Sequence, residues 1–224
     1  RQVVKQFFGG IGQNFVNPAL AGRIVLLTSF PVAMSTWTQP LTWTMSKLDG
    51  VTSASPLSSI HEMTSGGAAP DVSLVEMLIG WRAGCLGETC AVALLLGGIY
   101  LVVRKVISPT IPLTYIGTVA VIMLIAGKGD FRFVAYELLG GGLMLGAIFM
   151  ATDYTTSPIT FKGKIIFGIG CGLITSIIRI FGNLPEGVSY SIIIMNILVP
   201  LIENVTLPKP FGTPKKEKKE AEAK

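Results

Sequence analysis

Acidic residues inside apolar stretches are the clearest candidates for chemistry in this chain, and Glu88 is the strongest of them. It lies in GCLGETC at the start of a long apolar run, with no basic partner nearby in sequence. A carboxylate in such a run is costly to bury and indicates cation coordination or proton carriage. Stabilisation of an acid by the dipole of a helix N-terminus explains the same position, and both interpretations stay open.

Other charged residues lie in or near apolar runs. Glu137 lies within one run, whereas Asp153, Arg179 and Glu203 lie near the ends of runs. Side chains at the ends of membrane helices can reach the aqueous interface, so these three need no buried partner.

Two segments are rich enough in glycine, amide and hydroxyl side chains to bind a cofactor. GGIGQNFVNPALAGR, residues Gly9–Arg23, places Asn14 and Asn17 three residues apart, just before Pro18. Amides at that spacing can address the edge of a planar heterocycle, and glycine allows close approach. DGVTSASPL, residues Asp49–Leu57, is a hydroxyl-rich turn. By composition both segments are predicted to be loops.

Several common kinds of catalytic site are excluded. The single histidine, His61, cannot form a histidine metal cluster, and the spacing of Cys85, Cys90 and Cys171 matches neither zinc nor haem motifs. The glycine-rich motifs of dinucleotide folds and P-loops are absent from the sequence. Redox chemistry would therefore depend on a bound cofactor.

The composition places these residues in a membrane protein. Half of the 224 residues are hydrophobic, only 14% are charged, and the mean hydropathy is +0.62. A soluble surface needs far more charge than this. The net charge of +5 does not indicate nucleic-acid binding, because five of the eighteen Lys and Arg residues lie in the last ten positions. No basic face with interleaved aromatic residues appears elsewhere in the sequence.

Apolar runs long enough to cross about 30 Å of hydrocarbon predict an all-α, multi-span helical bundle. A weaker run, Ala19–Trp37, contains Arg23 and Pro31 and is expected to be a broken helix. Glycine clusters at residues 140–146 and 168–172 are interpreted as sites of close helix packing. The five clear spans are Ala83–Val103, Thr110–Gly127, Phe133–Ala151, Lys164–Phe181 and Val188–Val205.

Four segments follow from this interpretation. Residues 1–37 hold the amide-rich loop and the broken helix, and residues 38–82 form a polar loop ending in a short amphipathic helix, Ser73–Trp81, capped by Ser73. Residues 83–205 form a five-helix bundle, and residues 206–224 form a basic tail that we expect to be disordered. The chain does not open with methionine, and we expect a further N-terminal portion.

Positive charge in short loops predicts the orientation in the membrane. Arg104, Lys105, Lys162 and the basic tail fall on one side of the bundle, which is therefore predicted to be cytoplasmic. The segment Ser35–Arg82 is then external. The tail is expected to touch anionic lipid.

Four blocks of this sequence resemble the RnfD/NqrB family, whose members belong to Rnf ferredoxin–NAD oxidoreductases and to sodium-pumping NADH–quinone reductases. The resemblance runs from Lys5 to about Gly212, and TSPIT after MATD is closer to the Rnf members. The blocks are GGIGQNFVNPALAGR, LGETCAVALLLGGIYLV, FMATDYTTSP and IIRIFGNLPEGVSYSIIIMNILVPLIE.

The resemblance implies about ten transmembrane helices in two related halves, and a covalently attached FMN. The attachment motif D-x-x-[ST]-G-A-[ST] matches Asp49–Ser55 and makes Ser55 the phosphoester acceptor, with Thr52, Ser53 and Ala54 before it. Ser53 stands where the motif has glycine. Serine gives the backbone less conformational freedom than glycine does.

A second, non-covalent flavin, riboflavin, is also implied. The asparagine pair of the family matches Asn14 and Asn17, and Arg23 at the end of the same block is grouped with them. Glu88 and Asp153 match family positions associated with ion translocation. No metal ligand set is predicted in this chain, because the iron–sulfur clusters belong to neighbouring subunits.

The expected function is that of a flavin-carrying subunit of an Rnf-type complex in the bacterial inner membrane. It would pass electrons between ferredoxin and NAD, coupled to sodium or proton translocation, and would be inactive alone. Expected partners are the other Rnf subunits, including the flavin-bearing RnfG and iron–sulfur membrane subunits, and membrane lipid. Alternatives are the quinone-reductase member NqrB, a secondary transporter, whose folds also use broken helices, and a structural scaffold without flavin.

Overall fold

The computed structural model describes residues 14–38, 52–54, 60, 72–82, 84–85, 87–182 and 186–208. Within these ranges the chain is mostly helical, as predicted, with one short antiparallel strand pair. The helices are α1 (Pro18–Ser29), α2 (Pro31–Ser35), α3 (Leu74–Ile79), α4 (Ala91–Val103), α5 (Thr110–Ala126), α6 (Phe131–Leu139), α7 (Leu143–Leu145), α8 (Phe161–Phe181) and α9 (Val188–Thr206). A π-helical segment, Gly146–Met150, continues α7, and the strands are β1 (Thr36–Thr38) and β2 (Thr52–Ala54).

Helices α5, α8 and α9 form the centre of the fold, where fully buried hydroxyl groups join them. The Tyr115 hydroxyl on α5 lies 2.6 Å from that of Thr175 on α8 and 2.9 Å from that of Ser191 on α9. On the α5–α8 face, Gly168 and Gly172 lie against α5 with no room for a Cβ atom. This is the close approach that the glycine pattern predicts for α8.

By length and composition, fewer helices can cross a membrane than the sequence predicts. Among the described residues, α8 and α9 qualify, and α6 with the helix Leu143–Met150 qualifies only if this pair, bent by 66°, is one span. The apolar helices α1, α4 and α5 are shorter. The helix in the predicted span Ala83–Val103 begins later than predicted. Cys90 is the N-cap of α4, and Gly87 before it has a φ of +90°, which is not helical.

The predicted span Phe133–Ala151 is not one continuous helix, since it breaks at the glycine run. Gly140 is extended after α6, Gly141 has a positive φ of 62°, and Leu143 starts the next helix. Glycine tolerates this left-handed conformation, which other residues adopt only at a cost. The interpretation of this cluster as helix packing alone therefore has to be corrected.

The two segments predicted to be loops contain regular structure. In the first, α1 begins at Pro18; it ends at Ser29, and α2 begins at Pro31. Proline suits the first turn of a helix, where its missing N–H is not needed. In the second segment, β2 pairs with β1, with Trp37 opposite Ser53.

Candidate functional site

Glu88 lies in the turn before α4, not inside the helix, and it has basic partners. Its side chain is only 5% exposed, and its Oε1 lies 2.6 Å from Nη1 of Arg23 on α1. No basic partner is evident nearby in sequence, and the structure supplies one from 65 residues away in the chain. Compensation by the helix dipole alone does not describe this carboxylate.

Arg23 connects two acidic residues. Its Nη2 lies 2.8 Å from both carboxylate oxygens of Glu186, in the segment between α8 and α9. Its predicted role among the cofactor-binding residues stays a prediction, and in the structure the guanidinium is bound to carboxylates. Bonds of this charge-assisted kind hold both partners in a defined geometry.

Two further contacts surround Glu88. Arg82 donates to the main-chain carbonyls of Glu88 and Thr89, at 2.8 and 3.3 Å, so that it fixes the turn through the backbone. Gly142 lies so close to the carboxylate that a Cβ atom there would be 2.8 Å from Oε1. Glu88 is therefore packed against the break between α6 and α7.

A second buried ion pair stabilises this break. Nη1 of Arg179 on α8 donates to the main-chain oxygen of Glu137 at 2.6 Å and to its Oε2 at 2.9 Å, and Nη2 donates to the carbonyl of Gly140 at 3.2 Å. The side chains are 2% and 3% exposed. The prediction that Arg179 reaches the interface is wrong, because it caps carbonyl groups left open at the C-terminus of α6.

A cavity of about 400 Å³ lies at the N-terminus of α1 and brings together three residues that the sequence analysis singled out. They are Asn14, Asn17 and Asp153. The remaining lining residues are Pro18, Leu101, Ile107, Phe149, Thr152 and Tyr154. This mixture of apolar walls with a few polar groups, at this volume, is typical of small-molecule sites.

The polar residues of the cavity have different local roles. Asn17 caps α1, with its Oδ1 accepting from the N–H groups of Ala19 and Leu20. Oδ1 of Asn14 is buried without a hydrogen-bond partner among the described residues. The Asp153 carboxylate accepts from the Thr155 and Thr156 hydroxyls at 3.0 and 3.2 Å.

An isoalloxazine ring fits this arrangement, because it is planar, largely apolar and carries a ring N–H. The Asn14 oxygen offers that N–H an acceptor, and an unpaired buried acceptor is costly unless a ligand satisfies it. Nδ2 of Asn17 lies 3.5 Å from the Met150 carbonyl, so this amide is weakly engaged.

The two predicted ion-coupling residues, Glu88 and Asp153, occupy different surroundings. Glu88 belongs to the cluster of Arg23, Glu186 and Arg82, which we call the arginine–glutamate cluster, whereas Asp153 lines the cavity. Helix α1 joins both places, since it begins at the cavity and carries Arg23. Within the described ranges, no group of three or more His, Cys, Asp or Glu residues could hold a metal ion.

Sequence reasoning missed Glu186. It lies in NLPEG between two apolar runs, and the available signal was an acid in a very short connection that has no other charge. Ser55 lies outside the described residues. Thr52, Ser53 and Ala54 are described only as the backbone of β2.

Helices α8 and α9, long and apolar enough to cross a membrane, indicate an integral membrane protein. The chain belongs to the NQR2, RnfD, RnfE family, whose model matches residues 2–212. This confirms the family resemblance drawn from the four sequence blocks.

Three relatives are named as the D subunits of translocating complexes. The chain is 49% identical to the D subunit of the Na⁺-translocating ferredoxin:NAD⁺ oxidoreductase complex of Acetobacterium woodii, over 99% of this chain and 66% of the relative. It is 43% identical to the D subunit of the proton-translocating ferredoxin:NAD⁺ oxidoreductase complex of Clostridium ljungdahlii, over 94% and 65%. It is 38% identical to the D subunit of an ion-translocating oxidoreductase complex of Stutzerimonas stutzeri, over 93% and 66%. The chain thus spans just under two thirds of their length.

Proposed function

We propose that this chain acts as a flavin-binding membrane subunit of an Rnf-type, ion-translocating oxidoreductase complex. The complex would pass electrons between ferredoxin and NAD and couple that flow to movement of sodium ions or protons. The similarity to the D subunits of three translocating complexes supports this function. The observation that carries the flavin assignment is the cavity with its buried Asn14 oxygen, which has no partner in the described part of the chain.

In this proposal Asn14 and Asn17 hold riboflavin, which when bound would supply electron transfer. The chain's own residues bind and orient the ring: Asn14 accepts a hydrogen bond from its polar edge, and Phe149, Leu101 and Ile107 line its apolar faces. Asn17 keeps the first turn of α1 formed at the edge of the cavity. An ordered helix end fixes the geometry before the ligand arrives, which lowers the entropic cost of binding.

A covalent FMN at Ser55 is the second part of the proposal. Support comes from the match of Asp49–Ser55 to the family's attachment motif. The three residues before Ser55 form β2, and the backbone of β2 pairs with that of β1.

Replacing Ser55 with alanine tests this attachment. We expect complete loss of in-gel flavin fluorescence and of one FMN mass from the denatured chain, because no hydroxyl remains to form the phosphoester. Intact-mass analysis after co-expression with the flavin transferase is the measurement. Ser58→Ala, a hydroxyl three residues away, should keep the adduct; an adduct that survives in Ser55→Ala would contradict the assignment.

Replacing Asn14 with alanine tests the cavity. The variant should lose non-covalent flavin from the purified full chain while its thermal stability without flavin stays equal or rises, because Oδ1 has no partner among the described residues to lose. Released flavin is quantified by fluorescence after denaturation. Asn204→Ala, the same change at an exposed asparagine near the end of α9 and outside the cavity lining, is the matched control and should keep the flavin. Full flavin retention in Asn14→Ala would refute this site.

The proposed setting is the bacterial inner membrane, with Ser35–Arg82 external and the C-terminal tail cytoplasmic. The excess of Lys and Arg in short loops supports this orientation. Partners would be the flavin-bearing RnfG, the iron–sulfur membrane subunits and anionic lipid. The full family fold of about ten helices belongs to the same proposal.

A further inference from the structure

One guanidinium group holds two carboxylates side by side. Arg23 places Nη1 2.6 Å from Glu88 and Nη2 2.8 Å from Glu186. The two nitrogens belong to the same planar group, so the two acids are neighbours. Their side chains are 5% and 23% exposed, so water screens their repulsion poorly.

The positive charge around this pair is already engaged. Arg82 donates to main-chain carbonyls, and Arg179 is bound to Glu137 and Gly140. Cys85 is a further titratable group that faces Arg23. Among the described residues, one cation is therefore in direct contact with two potential negative charges.

One carboxylate oxygen of Glu88 has an unusual environment. Its Oε1 is buried and receives no well-directed hydrogen bond from the described part of the chain, although Arg23 is in ion-pair contact with it. A proton on the neighbouring acid would supply that bond. Burial, and then the charge of Glu88, raise the pKa of the Glu186 carboxyl above the usual glutamate value, against the opposing effects of Arg23 and Arg179.

We propose that Glu88 and Glu186 bind one exchangeable proton between them, with Arg23 as the positioning residue. On uptake, an oxygen of Glu186 forms the O–H bond and donates to the Glu88 carboxylate. On release, that O–H bond breaks, the proton leaves, and both acids are ionised beside Arg23. The use of this proton in translocation rests on the function proposed above, whereas the shared proton does not.

Infrared spectroscopy of the purified full chain, titrated with pH, tests the pair directly. The wild-type chain should show a protonated-carboxyl signal that persists to a higher pH than that of ordinary acids. The signal should be lost in Glu186→Gln and should disappear at lower pH in Glu88→Gln, because the Glu88 charge then no longer opposes ionisation of Glu186 beside Arg23. Glu203 lies on α9, and its carboxylate accepts a hydrogen bond from the Ile159 N–H. Glu203→Gln should therefore leave the signal unchanged.

Different outcomes separate the explanations. A signal lost in Glu186→Gln but unchanged in its pH range in Glu88→Gln would mean an isolated buried acid and would overturn the shared proton, as would a signal that survives in Glu186→Gln. The measurement needs neither flavin nor turnover. A chain that shows the signal but binds no flavin would thus refute the proposed function and leave this inference standing.

Stability against pH gives a second readout, which begins with the wild-type chain. Because the folded pKa of Glu186 is raised, its contribution to stability is full below the unfolded pKa and is lost as pH rises through the folded pKa. The Tm of wild-type chain in detergent should fall over that interval. Glu186→Gln should remove this part of the fall and Glu203→Gln should keep it; an identical fall in all three would overturn the proposal.

Discussion

Replacing Arg179 with methionine is expected to destabilise the folded chain by about 3–5 kcal/mol, the usual cost of breaking a buried ion pair. The side chains of Arg179 and Glu137 are 2% and 3% exposed, so the abandoned carboxylate cannot turn to water. The same change also removes the donors to the carbonyls of Glu137 and Gly140. The bent end of α6 should therefore open as well.

The measurement is equilibrium unfolding of the purified chain in detergent, followed by circular dichroism. Glu137→Met together with Arg179→Met should recover a large part of the loss, because no buried charge is then left unpaired. Arg132→Met is the control, since Arg132 is exposed at the start of α6 and should change stability by less than about 0.5 kcal/mol. A loss in Arg179→Met no larger than in this control would show that the pair contributes nothing.

Gly172→Ala should destabilise the packing of α5 against α8 by about 1–3 kcal/mol, the range for overpacking a tight interior. The added Cβ would lie 2.6 Å from the Thr118 Cβ and 3.0 Å from the Tyr115 carbonyl oxygen, and neither is the far end of a flexible side chain. The two helices have to separate to make room. Unfolding in detergent, as for Arg179, measures the effect.

Gly117→Ala on α5 is a matched control for that change. Among the described residues, nothing lies within 4 Å of the Cβ it would add, so the better helix propensity of alanine should stabilise the chain by up to about 1 kcal/mol. Opposite signs for the two glycine variants are expected. Equal effects would mean that α5 and α8 do not depend on close contact at Gly172.

Local signals allowed much of the helical structure to be predicted. The helix break predicted at Pro31 is where α2 begins, whereas Pro18, predicted to lie in a loop, is the first residue of α1. Ser73 caps α3, and Glu76 completes the capping box that the sequence pattern SLVE indicates. These features depend on residues within one turn of each other, so the sequence alone contains them.

Features that depend on distant residues could not be predicted in this way. Arg23 and Glu186 are 163 residues apart, and nothing local indicates that they meet. The glycine run before Leu143 is compatible both with close packing and with a break, and only its neighbours decide between them. The contacts around it favour the break. The Glu88 carboxylate fills the space beside Gly142, and Arg179 donates to the Gly140 carbonyl at the end of α6.

Helix α1 has a mechanical consequence. Asn17 caps its first turn at the cavity, and Arg23 lies six residues further on, about 9 Å along a rigid rod. Any shift of α1 on entry of a ligand into the cavity displaces the Arg23 guanidinium relative to Glu88 and Glu186. By reciprocity, the factor by which a ligand in the cavity changes proton affinity equals the factor by which pH changes ligand affinity. The proposed flavin cavity and the proposed proton site would then be thermodynamically coupled through α1.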